Sequence, residues 1–177
     1  MNPDPLPGKE QTALPDPAAP PSEPLAELIA RQPFCAGLSP HHLAILANSA
    51  MEMRFATGET MLEQGSPANR FYLILHGRVA LELEIRDRQP IPIQTLGAGD
   101  DLGWAWLFPP YYLHLGARAS EPTHTIFFYG TRLREQCELD HEFGYELMRR
   151  IAGVAIQYFQ ATQQKLLELL ASSPTNS

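Results

Sequence analysis

The strongest structural pattern in the chain lies in residues 55–85, FATGETMLEQGSPANRFYLILHGRVALELEI. Apolar side chains alternate along 71–75 and again along 79–85, as expected for strands whose successive residues lie on opposite faces. The His76-Gly77 pair separates these two runs and predicts a tight hairpin between them. This stretch therefore predicts short, closely spaced β-strands.

Further strand patterns lie on both sides of this stretch. The predicted strands cover residues 53–55, 60–62, 70–75, 78–85, 91–96, 115–120 and 123–129. Short strands at this spacing favour a β jelly roll, a barrel of the double-stranded β-helix type. Pro90 and Pro92 bracket Ile91 and cannot donate to a sheet ladder, so this strand is expected at an edge.

Helical patterns flank the strands. Helices are predicted over 25–32, 40–51, 131–137 and 141–170, with N-caps at Ser39, Thr131 and Asp140. The fold class is thus mainly β with flanking helices: short N-terminal helices and one long C-terminal helix. Residues 25–170 form the predicted domain, while the Pro-rich tail 1–24 and the end 171–177 are expected to be disordered.

The long helix carries a wide apolar stripe at spacings of three and four residues. Such a stripe either packs on its own barrel or forms a dimer interface. Its width favours a homodimer. The residues predicted for the interface are Leu147, Ile151, Val154, Ala155, Phe159, Thr162 and Leu166.

Residues 25–170 resemble the cyclic-nucleotide-binding domain of catabolite-activator/fumarate-nitrate-regulator (Crp/Fnr) sensors. The resemblance rests on Gly58-Glu59, Glu63-Gln64-Gly65, the run 71–74, Gly77, Val79, Gly99-Asp100, Leu102-Gly103 and Ala117-Arg118-Ala119. It implies the jelly roll and a dimer through the long helix. Family regulators continue into a helix-turn-helix domain, and this chain is expected to lack one and not to bind DNA.

The resemblance also implies where a ligand would bind. In the family, a phosphate-binding cassette carries a glutamate for the ribose and an arginine for the cyclic phosphate. Matching the flanking motifs places Trp104 at the glutamate position, Leu113 at the arginine and His114 at the following serine. Both charged anchors are missing, so the cassette is expected to be degenerate.

Three interpretations of the aromatic segment 104–115, WAWLFPPYYLHL, remain open. It could line a pocket for a small apolar or aromatic ligand, bind a protein partner through exposed aromatics, or fill the vacated pocket. In the first interpretation Tyr111 and Tyr112 would join the lining. The candidate pocket residues are Leu102, Gly103, Trp104, Ala105, Trp106, Leu113 and His114.

Composition excludes several classes of function. The net charge of −7 without a basic cluster disfavours nucleic acid as a partner, and no apolar run suits a membrane span. The two cysteines, Cys35 and Cys137, are too few for an iron–sulfur cluster and are expected to be buried thiols in a cytoplasmic protein. No His-x-His pair or nucleophile–base pair points to a metal, a cofactor or catalysis.

The predicted function is therefore that of a stand-alone, non-enzymatic regulatory or sensor module in signal transduction. Its ligand would be something other than a cyclic nucleotide, or it would have none. The alternative is a structural or adaptor protein that uses the domain only for protein–protein assembly.

Overall fold

A computed structural model describes residues 23–172 of the 177-residue chain. Both predicted tails therefore lie almost wholly outside the described residues, and the domain boundaries stay a prediction. The helices are α1 (Leu25–Ala30), α2 (Pro40–Ser49), α3 (Gly130–Leu139) and α4 (His141–Ser172), with short 3-10 helices at Pro33–Cys35 and Trp104–Leu107.

Eight strands form two antiparallel four-stranded sheets. The strands are β1 (Ala50–Phe55), β2 (Thr60–Leu62), β3 (Arg70–His76), β4 (Val79–Leu83), β5 (Ile91–Leu96), β6 (Asp101–Leu102), β7 (Gly116–Ala119) and β8 (Thr123–Tyr129). The first sheet has the order β1-β8-β3-β6 and the second has the order β2-β7-β4-β5. The predicted jelly roll with flanking helices is confirmed, and β5 lies at an edge as its prolines indicated.

The central strands of the first sheet, β3 and β8, are buried on both faces. Tyr72 and Phe127 contribute to a core between the two sheets, together with Met61 and Leu81 from the second sheet. The alternate residues of β3 and β8 contribute to a second core beneath the helices. This arrangement explains why the run 71–74 is apolar at every position: each face of β3 meets a hydrophobic layer.

The predicted hairpin at His76-Gly77 is wrong. Strands β3 and β4, which flank the pair, lie in different sheets, so the chain crosses from one sheet to the other at this point. Gly77 has φ of 97°, and a Cβ atom there would lie 2.6 Å from the Thr123 Cα atom. Its conformation therefore permits a sheet crossing rather than a two-residue turn.

Two of the three predicted helix caps are confirmed by the structure. The Ser39 hydroxyl accepts from the His42 N–H at 3.1 Å, and the Asp140 carboxylate accepts from the Phe143 N–H at 3.0 Å. The predicted cap Thr131 is wrong, because its own N–H donates to the Asn69 side chain at 2.8 Å and α3 begins one residue earlier. The short strand β6 was not predicted, since two residues carry no periodicity.

Helix α4 presents two different apolar faces. Its inner face packs into the core beneath the helices and contains Phe143, Leu147 and Ile151, all fully buried. Its outer face is exposed and consists of Tyr145, Met148, Ile156, Phe159, Leu166, Leu167 and Leu170. The wide stripe in the sequence is therefore the sum of a core-facing surface and a solvent-facing one.

A pair of isoleucines on α4 offers a test of this assignment. Ile151 is fully buried, whereas Ile156 is 58% exposed. We expect Ile151→Ala to lower the free energy of unfolding by about 2–5 kcal/mol, because it leaves a cavity in a packed core. Ile156→Ala should change it by less than about 0.5 kcal/mol. Urea unfolding of dilute protein measures both, and equal losses would contradict the assigned orientation of α4.

Candidate functional site

A cavity of about 400 Å³ opens between the second sheet, the segment 103–115 and the middle of α4. Its floor is formed by strand residues and its roof by one helix face. The described residues that line it are Leu62, Leu81, Leu83, Leu102, Gly103, Trp104, Ala105, Leu113, His114, Leu115, Ala155, Tyr158, Phe159 and Thr162. A volume of this size suits one small molecule, since ligand pockets start at about 300 Å³.

Gly103 fixes the start of the segment that closes the cavity. Its φ is 91°, and a Cβ atom at this position would overlap the Arg70 carbonyl oxygen. Only glycine combines this left-handed conformation with such a close backbone approach. The 3-10 helix Trp104–Leu107 follows directly and places its first residue against the cavity.

The two tryptophans of this 3-10 helix lie in different environments. Trp104 is half-buried and lines the cavity, whereas Trp106 is fully buried beneath the helices with its ring centroid 6.1 Å from that of Phe71. Gly130 makes room for Trp106, because a Cβ atom there would lie 2.6 Å from the Trp106 Cβ atom. The Arg134 guanidinium donates to the Trp106 carbonyl oxygen and anchors the segment to α3.

The roof of the cavity is held by contacts between α4 and the first sheet. The Tyr158 hydroxyl donates to the Asp101 carbonyl oxygen at 3.2 Å. The rings of Trp104 and Tyr158 meet edge to face, with centroids 6.1 Å apart and planes at 85°. These contacts join α4, β6 and the segment after Gly103 around one side of the cavity.

Charge is the property that the cavity lacks. None of the fourteen described lining residues is Asp, Glu, Lys or Arg. Ten of them carry aliphatic or aromatic side chains, and the other four are Gly103, His114, Tyr158 and Thr162. Leu113, at the position that the resemblance assigned to the phosphate-binding arginine, is buried in the core between the sheets. A buried anion here would have no counter-charge, which is unfavourable.

The structure places six of the seven predicted pocket residues at the cavity. Trp106 is the exception: it points to the opposite side of the 3-10 helix and does not line the cavity. Tyr111 and Tyr112 also lie outside the lining and are exposed. The aromatic side chains therefore leave the cavity open, and the interpretation that they fill it is not supported.

Sequence reasoning missed the leucine floor of the cavity. Leu81 and Leu83 alternate along β4 and both reach it, so the period of two in this strand was a usable signal. Leu62, Leu115 and Tyr158 also line it, and nothing local in the sequence marks them.

The seven predicted dimer residues are divided among three environments. Leu147 and Ile151 are fully buried in their own chain, and Val154 packs against the same core. Ala155, Phe159 and Thr162 line the cavity, and Leu166 is 55% exposed. Leu147 and Ile151 are thus unavailable to a partner in this structure, because they hold α4 on its own domain.

A cluster of polar side chains, separate from the cavity, lies where α2 meets α4. The Asp140 carboxylate is 3.0 Å from His41 Nε2 and 3.8 Å from His42 Nε2. The hydrogen bond from the Phe143 N–H, aided by His41, holds the pKa of Asp140 below its ordinary value. His42 is buried, and its ring lies 5.5 Å from that of Phe143. This cluster secures the start of α4.

The remaining candidate groups support structural roles. Cys35 is buried as predicted, and burial raises the pKa of its thiol to about 12. Cys137 is only half-buried, and burial raises its pKa to about 11, so neither thiol is reactive at neutral pH. Arg118 donates to the Gly58 carbonyl oxygen at 2.9 Å, a contact that links β7 to the turn before β2.

Residues 23–172 contain neither a candidate metal site nor a candidate membrane span. No group of three or more His, Cys, Asp or Glu side chains in this range is arranged to hold a metal ion. None of the helices described in it combines the length and the hydrophobicity needed to cross a membrane.

Comparisons with known proteins agree with the fold. The family model for the cyclic nucleotide-binding domain matches residues 52–140. The CRP-like cAMP-activated global transcriptional regulator of Mycobacterium tuberculosis is 28% identical over 97 residues, which cover 55% of this chain and 41% of that protein. The chain thus matches less than half the length of this relative.

Solved structures show the same fold. A candidate cyclic nucleotide-binding protein from Geobacter metallireducens GS-15 has a TM-score of 0.68 at 27% identity, covering 76% of this chain and 97% of that one. A cyclic nucleotide-binding domain from Methylobacillus flagellatus KT also has a TM-score of 0.68, at 18% identity, with 81% of both chains covered.

Asp101, next to the cavity wall, should make stability depend on pH. Burial, followed by the nearby charge of Asp100, raises the pKa of its carboxyl from 3.8 to about 7, and its Oδ1 atom has no hydrogen-bond partner. The folded chain therefore holds a proton that the unfolded chain releases above pH 4. We expect the Asp101 contribution to stability to fall by roughly 2–3 kcal/mol between pH 5 and pH 8.

Urea unfolding of Asp101→Asn beside the unmodified protein measures this contribution. The variant should gain stability relative to the unmodified protein as the pH rises from 5 to 8, because its amide cannot ionise. A stability difference that stays constant across this range would contradict the raised pKa.

Proposed function

The chain belongs to the cyclic nucleotide-binding domain family, and we propose that it is a non-enzymatic regulatory module whose cavity takes a ligand other than a cyclic nucleotide. The observation that carries this proposal is the uncharged lining of the cavity. Trp104 and Leu113 occupy the two positions where the family resemblance expects a glutamate and an arginine, and both line the cavity. We place this signalling role in the cytoplasm.

The backbone of the segment supports the same conclusion. Anion cradles need free N–H groups, but the Leu113 N–H donates to the Ser66 carbonyl oxygen at 3.0 Å and the Tyr111 N–H donates to the Phe108 carbonyl oxygen at 3.0 Å. Pro109 and Pro110 have no N–H group. The later part of the segment, residues 109–113, is therefore poor in free donors.

The outer face of α4 supports a homodimer. Its seven large apolar residues extend along the helix from Tyr145 to Leu170 and are 48–64% exposed. An apolar stripe of this length is unfavourable in water and is typical of an interface. Because α4 is a single helix, a second copy would present the same stripe, as a symmetric dimer requires.

An adaptor role is the second candidate function, and the exposed tyrosines favour it. Tyr112 is 50% exposed, and Tyr111 stacks beneath the Arg134 guanidinium with its ring centroid 4.6 Å away. Tyr and Arg are enriched in protein–protein interfaces. In this role the segment would bind a partner protein from outside the cavity.

We predict that neither cyclic AMP nor cyclic GMP binds with micromolar or better affinity. Removing one partner of a buried charge pair typically costs about 2–5 kcal/mol. At about 1.4 kcal/mol per tenfold change, Leu113 alone should weaken binding by roughly one and a half to three and a half orders of magnitude. Isothermal titration calorimetry with both nucleotides tests this prediction, and a micromolar dissociation constant for either nucleotide would contradict the proposal.

A double variant provides the matched comparison. Trp104→Glu with Leu113→Arg restores both charged anchors at the cavity, and we expect weak cyclic-nucleotide binding to appear. Tyr111→Glu with Tyr112→Arg adds the same two charges at exposed positions outside the cavity and should bind no nucleotide. Thermal unfolding of both variants verifies that they are folded.

We predict that Ile156→Glu combined with Leu166→Glu converts a dimer into a folded monomer. Both residues lie on the outer face of α4 and are more than half exposed, so the charges should disrupt a dimer without disturbing the core. Gln157→Glu combined with Gln164→Glu adds the same charge on a polar side of α4 and should leave the dimer intact. Light scattering reports the mass, and an unmodified protein that is monomeric at micromolar concentration would end this proposal.

A further inference from the structure

We infer that the ligand of this cavity is an uncharged amphiphile with an aliphatic body and a single hydroxyl-type polar end. This inference rests on the proposed function, because it names the class of ligand that replaces the cyclic nucleotide. Three features of the cavity support it: a floor of leucines, the rings of Trp104 and Tyr158 that already engage one another, and two exposed polar side chains, Thr162 and His114.

The floor determines the shape and polarity of the body. Six leucines from β2, β4, β6 and the end of the segment form it: Leu62, Leu81, Leu83, Leu102, Leu113 and Leu115. Every CH₂ group that a ligand buries against such a surface gains about 0.8 kcal/mol. A flexible alkyl chain can follow the outline of six branched side chains, whereas a rigid ring system contacts only those that share its plane.

The aromatic roof offers few free ring faces. The Trp104 ring meets Tyr158 edge to face, and its centroid is 6.5 Å from that of Phe108. The Tyr158 hydroxyl is bound to the Asp101 carbonyl oxygen. The rings of Trp104 and Tyr158 already have partners within the chain, so these two serve as an apolar wall rather than as a stacking platform for a planar ligand.

The polar end is specified by Thr162 and His114, the two exposed polar residues of the lining. The Thr162 hydroxyl donates its only proton to the Tyr158 carbonyl oxygen at 2.9 Å. Its oxygen can therefore only accept a hydrogen bond from a ligand. A ligand hydroxyl can donate to Thr162, whereas a carboxylate cannot donate.

Both anionic and cationic end groups are unfavourable in this cavity. The described lining contains no Lys or Arg to balance an anion and no Asp or Glu to balance a cation. Moving an unpaired charge out of water into such a site is costly. A neutral polar end is therefore favoured, and His114 is the one described lining side chain able to carry a compensating positive charge.

A series of ten-carbon probes tests the inference by thermal unfolding of the unmodified protein. The probes are 1-decanol, decanoate, decylammonium and 2-naphthol, each below its solubility or micelle limit at pH 7. Only binding to the folded state raises the melting temperature. We expect 1-decanol to give the largest shift. 2-Naphthol has the same number of non-hydrogen atoms and a hydroxyl, so it isolates the effect of an aliphatic body.

Three variants locate the binding. Ala155→Phe places a ring inside the cavity and should remove the 1-decanol shift, whereas Gln157→Phe adds the same side chain to an exposed part of α4 and should keep it. Thr162→Val removes the accepting oxygen at nearly constant shape. It should weaken 1-decanol binding roughly fivefold, since one hydrogen bond contributes about 1 kcal/mol.

Fluorescence gives a second readout that does not depend on stability. Trp104 and Trp106 are the two tryptophans of the chain, and only Trp104 lines the cavity. 10-Bromo-1-decanol should quench the unmodified protein through its bromine atom. Trp104→Phe should lose most of this quenching, because the remaining indole lies on the far side of the 3-10 helix.

Several results would overturn the inference. These are no shift with 1-decanol, an equal or larger shift with decanoate, decylammonium or 2-naphthol, or a 1-decanol shift that survives in folded Ala155→Phe. Quenching that persists in Trp104→Phe would likewise place the probe elsewhere. The proposed function fails by a different route, through micromolar binding of a cyclic nucleotide, so the two failures are distinguishable.

Discussion

The burial of β3 and β8 on both faces is the constraint on which the rest of the structure depends. Phe71 and Phe128 need an apolar layer on one side of the first sheet, and Tyr72 and Phe127 need another on the opposite side. The second sheet meets the inner requirement and the helices meet the outer one. Helix α4 is therefore held by its first half, where Ile151 is buried, and its continuation reaches over the mouth of the barrel.

The cavity results from this geometry rather than from any dedicated binding loop. A helix that covers one sheet and extends past its edge encloses space above the second sheet, and the segment after Gly103 closes the remaining side. The fold thus supplies the space, while the side chains at Trp104 and Leu113 decide its polarity. This separation explains how one architecture can accommodate ligands of different chemistry: function depends on the site and not on the fold.

The sequence predicted most of the architecture because strand periodicity, glycines and caps are local signals. Ser39 and Asp140 cap their helices as expected, and the prolines correctly placed β5 at an edge. It failed where tertiary packing decides. Alternation along 71–75 and 79–85 cannot show that the two strands belong to different sheets, so His76-Gly77 resembled a hairpin.

The candidate site shows the same division. Six of the seven residues chosen from the segment and its approach line the cavity, since a motif fixes their position in the chain. Trp106 does not, because a 3-10 helix turns neighbouring side chains in directions that composition does not reveal.

Phe159 was predicted to lie in a dimer interface and lines the cavity, yet it remains 62% exposed on the outer face of α4. A substitution at this position would be pleiotropic, because it would change both the cavity and the outer surface of α4. Specificity for the ligand and specificity for a molecule that covers α4 therefore could not evolve independently through this residue.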